Sequence, residues 1–346
     1  MSARVPVAIS MGDPAGIGPE VALKAIASPG IRRTVDAILV GDAGVWRATA
    51  RRLGLPLHPV YGGGPVRRGS TRCVVTSELP ASARRPGPPA RRRDAARCGD
   101  AAYRAILAAV GLVRDGAAAA LVTAPISKAH LAAAGHDFPG HTELLAHLCG
   151  DVPVRMLMVG SRLRVVLVTT HLPLAAVSRR LTRDMVLQTI TLTAHALRIW
   201  FGMSSPRIAV TGLNPHAGEG GLFGTEDTRV ILPAVGAARR RGVDATGPLA
   251  ADGVFAHAAG GAYDAVVCMY HDQGLAPFKL LHFADGVNLT LGLPFVRTSP
   301  DHGTAFDIAG TGRADARSMI AALRLAATLA PQRKSPLVGA ALAAVS

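Results

Sequence analysis

Short runs of β-branched and aliphatic residues alternate along this chain with longer stretches of helical periodicity. We predict strands at seven places: Val5–Ser10, Ala37–Gly41, Ala120–Thr123, Arg155–Val159, Val165–Thr169, Ile208–Thr211 and Ala265–Met269. Stretches rich in Ala, Leu and Arg lie between them and favour helices, for example Ala102–Val113 and Met185–Phe201. This alternation predicts an α/β fold in which a mainly parallel sheet is covered by helices on both faces.

The length of 346 residues exceeds the usual size of one compact core, which favours two α/β lobes. The N-terminus lacks the pattern of a secretory signal, and the longest apolar stretch is interrupted by Arg114 and Asp115. No membrane-spanning helix is therefore predicted. The four cysteines form no CxxC pair, which excludes a zinc ribbon and favours reduced thiols in a cytoplasmic protein: Cys73, Cys98, Cys149 and Cys268.

The formal net charge of +15 results from 38 Lys and Arg against 23 Asp and Glu. Such a charge suits either nucleic acid or a small anionic substrate. No aromatic residues interleave with the basic residues, and no helix-turn-helix or zinc-finger spacing is present, so nucleic acid is not expected as a partner. A non-catalytic, nucleic-acid-associated binding protein remains the alternative from another functional class. Much of the charge lies in one part of the chain: Arg67, Arg68, Arg72, Arg84, Arg85, Arg91, Arg92, Arg93 and Arg97.

The segment from residue 84 to residue 97 also contains Pro86, Gly87, Pro88 and Pro89. Proline and glycine at this density interrupt regular structure. We therefore predict an exposed loop or a mobile linker in this segment.

Polar clusters that contain histidine follow three of the predicted strands. His171 and His271 lie two residues after Val165–Thr169 and after Ala265–Met269, and His216 belongs to the cluster Asn214-Pro215-His216 that follows Ile208–Thr211. Parallel sheets place ligand sites at the carboxyl ends of their strands, so the three imidazoles are predicted to converge. Neutral imidazole is a common ligand of divalent metals, and a cation beside an alcohol stabilises the charge that develops on its oxygen during oxidation. The alternative is that each histidine is a hydrogen-bonding residue at a strand end.

The segment Gly274–Arg297 combines Lys279, Asn288 and Arg297 with a largely apolar stretch. Lysine and arginine are the natural partners of a phosphate, and an amide can donate to a phosphate oxygen as well. The segment therefore predicts a phosphate-binding cluster, with ordinary surface cations as the alternative.

Two turns and one further polar cluster are candidate anion or cofactor contacts. In the run from Pro139 to Glu143, Thr142 is predicted to be the N-cap of a helix and His141 to donate to an anion at its N-terminus. The run Gly12–Glu20 is neither a Rossmann fingerprint nor a Walker loop, and a tight strand-to-helix turn explains it equally well. Asp301 and His302 are candidates for the cofactor side of the site or for supporting residues.

Taken together, these segments resemble the 4-hydroxythreonine-4-phosphate dehydrogenase family of vitamin B6 biosynthesis. The resemblance begins at Ile9–Glu20 and extends to the helix near Leu325, without the insert around residues 64–97. The matching stretches lie in the same order: Leu121–Lys128, Gly140–Ala146, Thr169–Leu174, Gly212–Asp227, Met269–Lys279 and Gly286–Gly312.

This resemblance implies that His171, His216 and His271 bind one divalent metal ion per subunit, with zinc, magnesium and cobalt as candidates. It implies two α/β lobes with a central cleft, similar to isocitrate and isopropylmalate dehydrogenases. The first lobe is expected to contain residues 1–130 and 298–346 and the second residues 131–297, to within about 15 residues. The second lobe is expected to carry the dimer interface of a homodimer that shares its active sites. The implied substrate-binding set is His141, Thr142, Lys279, Asn288 and Arg297.

The implied reaction is oxidation of 4-phosphooxy-L-threonine by NAD, with NADP as the alternative cofactor. The product then loses carbon dioxide to give 3-amino-2-oxopropyl phosphate. Asp252 and Asp272 are candidates to orient ligands or relay protons. Relatives that act on 4-phospho-D-threonate, on 4-phospho-D-erythronate or on cyclic diol dicarboxylates share the metal-binding histidines, so these substrates remain alternatives.

Overall fold

The computed structural model describes residues 3–61 and 70–331 and separates into two compact units. One unit contains the chain up to Val152 together with Leu293–Pro331, and the other contains Pro153–Gly292. The strands are β1 (Val5–Ser10), β2 (Val35–Asp42), β3 (Pro59–Tyr61), β4 (Thr71–Ser77), β5 (Ala120–Thr123), β6 (Arg155–Val159), β7 (Arg164–Leu167), β8 (Ile208–Thr211), β9 (Ala245–Leu249), β10 (Ala265–Cys268), β11 (Val287–Leu291) and β12 (Val296–Pro300). The α-helices are α1 (Gly18–Ala27), α2 (Pro29–Thr34), α3 (Ala43–Arg52), α4 (Arg92–Arg114), α5 (Lys128–Ala133), α6 (His141–Leu148), α7 (Leu174–Arg180), α8 (Arg183–Ile199), α9 (Leu232–Arg240), α10 (Ala251–Ala259), α11 (His271–His282) and α12 (Arg317–Leu329). The predicted α/β class and its two α/β lobes are confirmed.

The first unit is built on a fully parallel sheet with the strand order β3-β4-β2-β1-β5-β12. Its central strands are continuous aliphatic runs because helices cover both faces, and Val7, Ala8 and Ile9 of β1 are completely buried. The order of connection reverses between β1 and β5. Open parallel sheets bind ligands beside such a reversal, at the carboxyl ends of the strands.

The second unit has the strand order β11-β6-β7-β10-β8-β9. β7, β10, β8 and β9 are parallel, whereas β6 is antiparallel to both of its neighbours. Leu275 and Phe278 of α11 belong to the buried cluster that also contains Val165 and Val266 of the sheet. This packing holds α11 against the strands whose ends carry the predicted metal ligands.

The first division between the units lies beyond the predicted boundary after residue 130, whereas the second agrees with prediction to within the stated margin of about 15 residues. The first unit continues to Val152 and so contains α5 and α6, because α5 packs against α4. Gly99 allows this close approach, since a Cβ at that position would overlap the backbone carbonyl of His130. The second predicted boundary, after residue 297, lies five residues beyond the observed one after Gly292. Residues 332–346, which were predicted to belong to the first lobe, lie outside the described residues.

Gly99→Ala is expected to destabilise the protein by about 2 kcal/mol, because the added methyl group forces α5 away from α4. Gly111→Ala in the same helix is the matched control, since a Cβ there meets no atom within 4 Å. The free energy of unfolding of the control should rise by about 0.5–1 kcal/mol, because alanine has a higher helix propensity than glycine. Urea denaturation of both variants measures the difference, and equal stabilities would contradict the tight packing of the two helices.

The predicted loop is observed from Arg84 to Arg91, whereas Arg92–Arg97 form the first turns of α4, so the prediction of a loop is wrong for those six residues. The backbone N–H of Gly87 donates to the carbonyl of Ala15 at 2.8 Å. Nε of Arg84 lies 3.3 Å from the carboxylate of Asp42, which is completely buried. A buried carboxylate requires a partner, and this ion pair fixes the segment on the first unit. The predicted members of the basic run that lie outside the described residues are Arg67 and Arg68.

No helix in the described ranges is long and apolar enough to cross a membrane.

All four cysteines are free, which confirms the prediction of unpaired thiols. Burial raises the pKa of Cys73 to about 11 and that of Cys98 to about 12. Both thiols therefore stay protonated and unreactive at neutral pH.

Candidate active site

The ends of β7 and β10 in the second unit are joined by hydrogen bonds beyond the strands themselves. The backbone N–H and the hydroxyl of Thr169 both donate to the carbonyl of Met269, at 3.2 and 2.7 Å. Two residues further along each segment, the rings of His171 and His271 have centroids 5.9 Å apart. A cation with metal–nitrogen distances of about 2.1 Å would hold two imidazole centres roughly 5–6 Å apart, so the observed spacing fits a shared ion.

His271 is the first residue of α11, and a carboxylate orients its ring. Nδ1 of His271 lies 2.7 Å from Oδ1 of Asp272. With the proton placed on Nδ1 to make this bond, Nε2 is left as the nitrogen that can bind a metal. Of the two predicted orienting carboxylates, Asp272 thus contacts a predicted ligand. Asp252 is exposed in the first turn of α10, and its role stays a prediction.

His216 begins a stretch of five residues whose backbone is left-handed. The φ angles from His216 to Gly220 are 52, 53, 83, 42 and 65°. Glycine adopts such angles freely, but the same backbone conformation at His216, Ala217 and Glu219 costs roughly 1–2 kcal/mol of conformational free energy per residue. Strain of this kind persists only where surrounding contacts impose it, and it is common at functional sites.

The carboxylate of Asp227 holds the residues that lead into this loop. Asp227 is completely buried and accepts hydrogen bonds from the backbone of Leu213 at 2.8 Å and from the side-chain amide of Asn214 at 2.9 Å. A Cβ at Gly212 would lie 2.6 Å from the same carboxylate, so the glycine is required there. Asp227 was not predicted as a supporting residue, although the glycine-rich run before it is a sequence signal for such a tightly packed loop.

A single chain brings two of the three predicted metal ligands together. No group of three or more His, Cys, Asp or Glu side chains within residues 3–61 and 70–331 is arranged to hold a metal ion. The ring of His216 lies beside that of Phe223, with centroids 6.3 Å apart. The donor set of His171 and His271, one of them oriented by a carboxylate, suits a divalent transition metal. The role of His216 as the third ligand stays a prediction.

Arg297 of β12 is a cation in the core of the first unit. Only 1% of its surface is exposed, and its Nε and Nη2 donate to the hydroxyl of Thr123 at 3.2 and 2.6 Å. Burial lowers the pKa of Arg297 to about 9, and the nearby carboxylate of Glu143 partly opposes this shift. A guanidinium kept in so apolar a place suits an anionic ligand, because a phosphate would offset its lost hydration.

His141 is the first residue of α6, and the N-cap is Gly140. The prediction of Thr142 as the N-cap is therefore wrong: Thr142 is the second residue of the helix, because Gly140 already supplies the extended residue before it. Nε2 of His141 is buried and makes no hydrogen bond. Burial, followed by the charge of Arg297, lowers the pKa of His141 well below 6.5, against a backbone hydrogen bond with Ala124. The ring is thus neutral and suited to hydrogen-bond an anion at the helix N-terminus.

His141 is expected to remain neutral as the pH falls from about 8 to about 6, whereas an unperturbed histidine titrates near 6.5. Because the unfolded chain takes up this proton first, the contribution of His141 to stability should decline as the pH drops below about 6.5. NMR titration of the ring resonances, assigned with a His141→Gln variant, measures the pKa. Arg297→Met should raise the midpoint by removing a positive charge. A wild-type midpoint near 6.5 would show that the ring is solvated.

The other two predicted binding residues belong to the second unit. Lys279 lies on α11, about two turns after His271, and Asn288 lies on β11, opposite Met158 of β6. The amide oxygen of Asn288 is buried and accepts no hydrogen bond. This oxygen is therefore an acceptor available to a ligand. The predicted substrate-binding set is thus divided, with His141, Thr142 and Arg297 in the first unit.

The turn after β1 is a rigid structural element. Gly12 has a φ of 69°, and a Cβ there would overlap the carbonyl of Pro125. The buried carboxylate of Asp13 accepts from the backbone of Ala15 at 3.0 Å and lies 2.7 Å from Nδ1 of His130. This contact between Asp13 and His130 was not predicted, because 117 residues separate them in the chain.

The segment after β12 is tied to α1. Glu20 accepts hydrogen bonds from the backbone of Gly312 at 3.3 Å and of Ala314 at 3.0 Å, and it pairs with Lys24 at 2.8 Å. At the start of this segment, Nε2 of His302 is buried and makes no hydrogen bond. The carboxyl end of β12 therefore offers a buried ring nitrogen to a ligand.

Comparison with known proteins places this architecture in a family. The family model described as pyridoxal phosphate biosynthetic protein PdxA matches residues 33–326. The chain belongs to the PdxA family. A 4-hydroxythreonine-4-phosphate dehydrogenase from Geobacter metallireducens is 50% identical over 328 residues, which are 94% of this chain and 95% of that protein. The crystal structure of a 4-hydroxythreonine-4-phosphate dehydrogenase from Klebsiella pneumoniae has a TM-score of 0.83 and 42% identity, covering 95% of this chain and 98% of its own.

The PdxA family contains dehydrogenases with more than one named substrate. A D-threonate 4-phosphate dehydrogenase from Cupriavidus necator is 45% identical to this chain over 339 residues, which are 96% of this chain and all of that protein. The family resemblance seen in the sequence is confirmed, and the relatives support dehydrogenase chemistry for this PdxA-family chain. Their names differ in the acid that is oxidised.

Proposed function

We propose that the chain oxidises the secondary alcohol of 4-phosphooxy-L-threonine, with NAD as the hydride acceptor and a divalent metal ion as an essential component. The product, 2-amino-3-oxo-4-phosphooxybutanoate, then loses carbon dioxide to give 3-amino-2-oxopropyl phosphate in pyridoxal phosphate biosynthesis. The observation that carries this proposal is the pair of neighbouring imidazoles, His171 and His271, in a chain 50% identical to a 4-hydroxythreonine-4-phosphate dehydrogenase.

Different side chains are proposed to bind the metal ion, to orient its ligands and to bind the phosphate of the substrate. His171 and His271 would hold the metal ion, which supplies positive charge where negative charge develops on the alcohol oxygen. Asp272 keeps the ring of His271 in one orientation. Arg297 and the neutral His141 bind the phosphate, and Lys279 and Asn288 provide further polar contacts, so the substrate is held at both ends. Zinc, magnesium and cobalt are the candidate ions.

The cofactor contacts are assigned to the carboxyl ends of the parallel strands in the first unit. Nucleotides bind along this edge in parallel sheets, and the chain has no glycine fingerprint that would place NAD elsewhere. The buried Nε2 of His302 and the segment held by Glu20 support this assignment. NADP is the alternative cofactor.

The active enzyme is proposed to be a cytoplasmic homodimer whose subunits share their active sites. Large apolar side chains are exposed three residues after His171 and six residues after His216: Leu174 is 68% exposed and Leu222 74%. Exposed apolar surface of this kind is typical of protein interfaces, and a second copy would cover it symmetrically. The third ligand, His216, would then serve the two-histidine site of the other subunit.

A 4-phospho-D-threonate substrate is the second candidate, because the relative from Cupriavidus necator is named for D-threonate 4-phosphate. The deciding experiment follows NADH formation by the purified protein with each of the two phosphorylated acids, before and after treatment with a chelator. Faster turnover of 4-phosphooxy-L-threonine, lost on chelation and restored by zinc, magnesium or cobalt, is the expected result. Faster turnover of 4-phospho-D-threonate would select the second candidate, and undiminished activity after chelation would remove the metal from the proposal.

A further inference from the structure

The side chain of Gln273 joins two segments that carry predicted metal ligands. Its Oε1 accepts hydrogen bonds from the backbone N–H of Met269 at 2.7 Å and from the hydroxyl of Thr211 at 2.9 Å. Its Nε2 donates to the carbonyl of Gly212 at 2.7 Å. One amide thus connects the end of β8 with the first turn of α11.

These partners lie close to the histidines in the chain. Met269 precedes His271 by two residues, and Gly212 precedes His216 by four. The carbonyl of Met269 is also the acceptor for Thr169, which precedes His171 by two residues. A continuous set of hydrogen bonds therefore runs through all three ligand-bearing segments, with the Gln273 amide at its centre.

We infer that Gln273 is a positioning residue, which holds the His216 loop in a fixed place relative to the N-terminus of α11. This inference rests on the proposed metal-dependent function. Glutamine suits the position because a single amide supplies both the acceptor for Met269 and Thr211 and the donor for Gly212. Glutamate would place an acceptor against the carbonyl of Gly212, and methionine would fill the space without making any of these bonds. The left-handed loop of His216 needs such support because its backbone conformation is strained.

The test measures binding of Co²⁺ to the full-length, metal-stripped protein by calorimetry and by visible absorption. Gln273→Met is expected to weaken Co²⁺ binding by about 10–100-fold, the range found when residues that support metal ligands are replaced. Thr211→Val, which removes the 2.9 Å bond to Gln273 and a longer contact of the same hydroxyl with the carbonyl of Val267 at 3.3 Å, should weaken it less. Gln188→Met is the matched control, because Gln188 lies on α8 and bonds to Arg155. It should bind Co²⁺ as the wild type does.

The outcomes separate this inference from the proposed function. Wild-type affinity in both Gln273→Met and Thr211→Val would overturn the positioning role while leaving the metal site in place. A wild-type protein that binds no Co²⁺ beyond a His271→Ala variant would overturn both. If circular dichroism shows that Gln273→Met does not fold, Thr211→Val decides alone: weaker binding supports the role, and unchanged binding refutes it.

Discussion

Replacing His271 by alanine should lower NADH formation by about 10³-fold, the equivalent of about 4 kcal/mol of transition-state stabilisation. The variant removes one of the two imidazoles that lie 5.9 Å apart, so that His171 and the proposed His216 from the other subunit remain, which are fewer protein ligands than a catalytic metal site usually has. The fold should persist, because His271 is 37% exposed at the first position of α11 and alanine favours helix. Steady-state rates, measured together with the bound metal per subunit, test both parts of this expectation.

The matched control is His257→Ala, which removes an exposed histidine from the last turn of α10 in the same unit. It should leave the rate and the metal content unchanged. Asp272→Asn should have an intermediate effect of about 10–100-fold, since it weakens the orientation of His271 without removing a ligand. A His271→Ala enzyme that turns over near the wild-type rate would show that this imidazole takes no part in the chemistry.

Arg297→Met should raise KM for the phosphorylated substrate by about 100-fold, because the loss of a buried charged partner costs about 3 kcal/mol of binding. Arg297 is 1% exposed, and burial already lowers its pKa to about 9, so little water reaches the site to replace the lost interaction. Methionine has a similar length and fills the space left by the guanidinium. Arg297→Lys should also bind poorly, because an ammonium cannot reproduce the planar fork.

Comparing the substrate with and without its phosphate distinguishes a phosphate-binding role of Arg297 from a purely structural role. The wild type should strongly prefer 4-phosphooxy-L-threonine over 4-hydroxy-L-threonine, and Arg297→Met should remove most of that preference. Arg155→Met is the matched control, since Arg155 is partly buried and bonds to Thr189 and Gln188 on α8. It should lower stability without changing the preference for phosphate. An equal rise of KM for both substrates in Arg297→Met would mean that Arg297 is structural.

The local sequence pattern was sufficient to predict the positions of several strands in the two sheets. The bounds of β1, β5 and β8 agree with prediction, because a buried parallel strand is a short aliphatic run with polar residues at its end. The bounds of β6, which is antiparallel to its neighbours, agree as well. The ends of such strands also indicated where ligands bind, and the neighbouring His171 and His271 agree with that expectation. Five strands were not predicted, because they contain few apolar residues or because no clear turn signal separates their apolar residues from the adjacent loops: β3, β4, β9, β11 and β12.

Tertiary structure decided how the site residues are held, because the contacts involved join positions far apart in the chain. Arg297 is buried against Thr123, 174 residues away, and Gln273 reaches Gly212 across 61 residues. The left-handed backbone at His216 follows residues that the buried carboxylate of Asp227 holds, and no local preference of histidine predicts it. The sequence by itself therefore determined which functional groups this protein has and at which edge of the sheets they lie. Only folding, which brings distant hydrogen-bond partners together in an environment without water, decided their orientation, their charge state and the strain they carry.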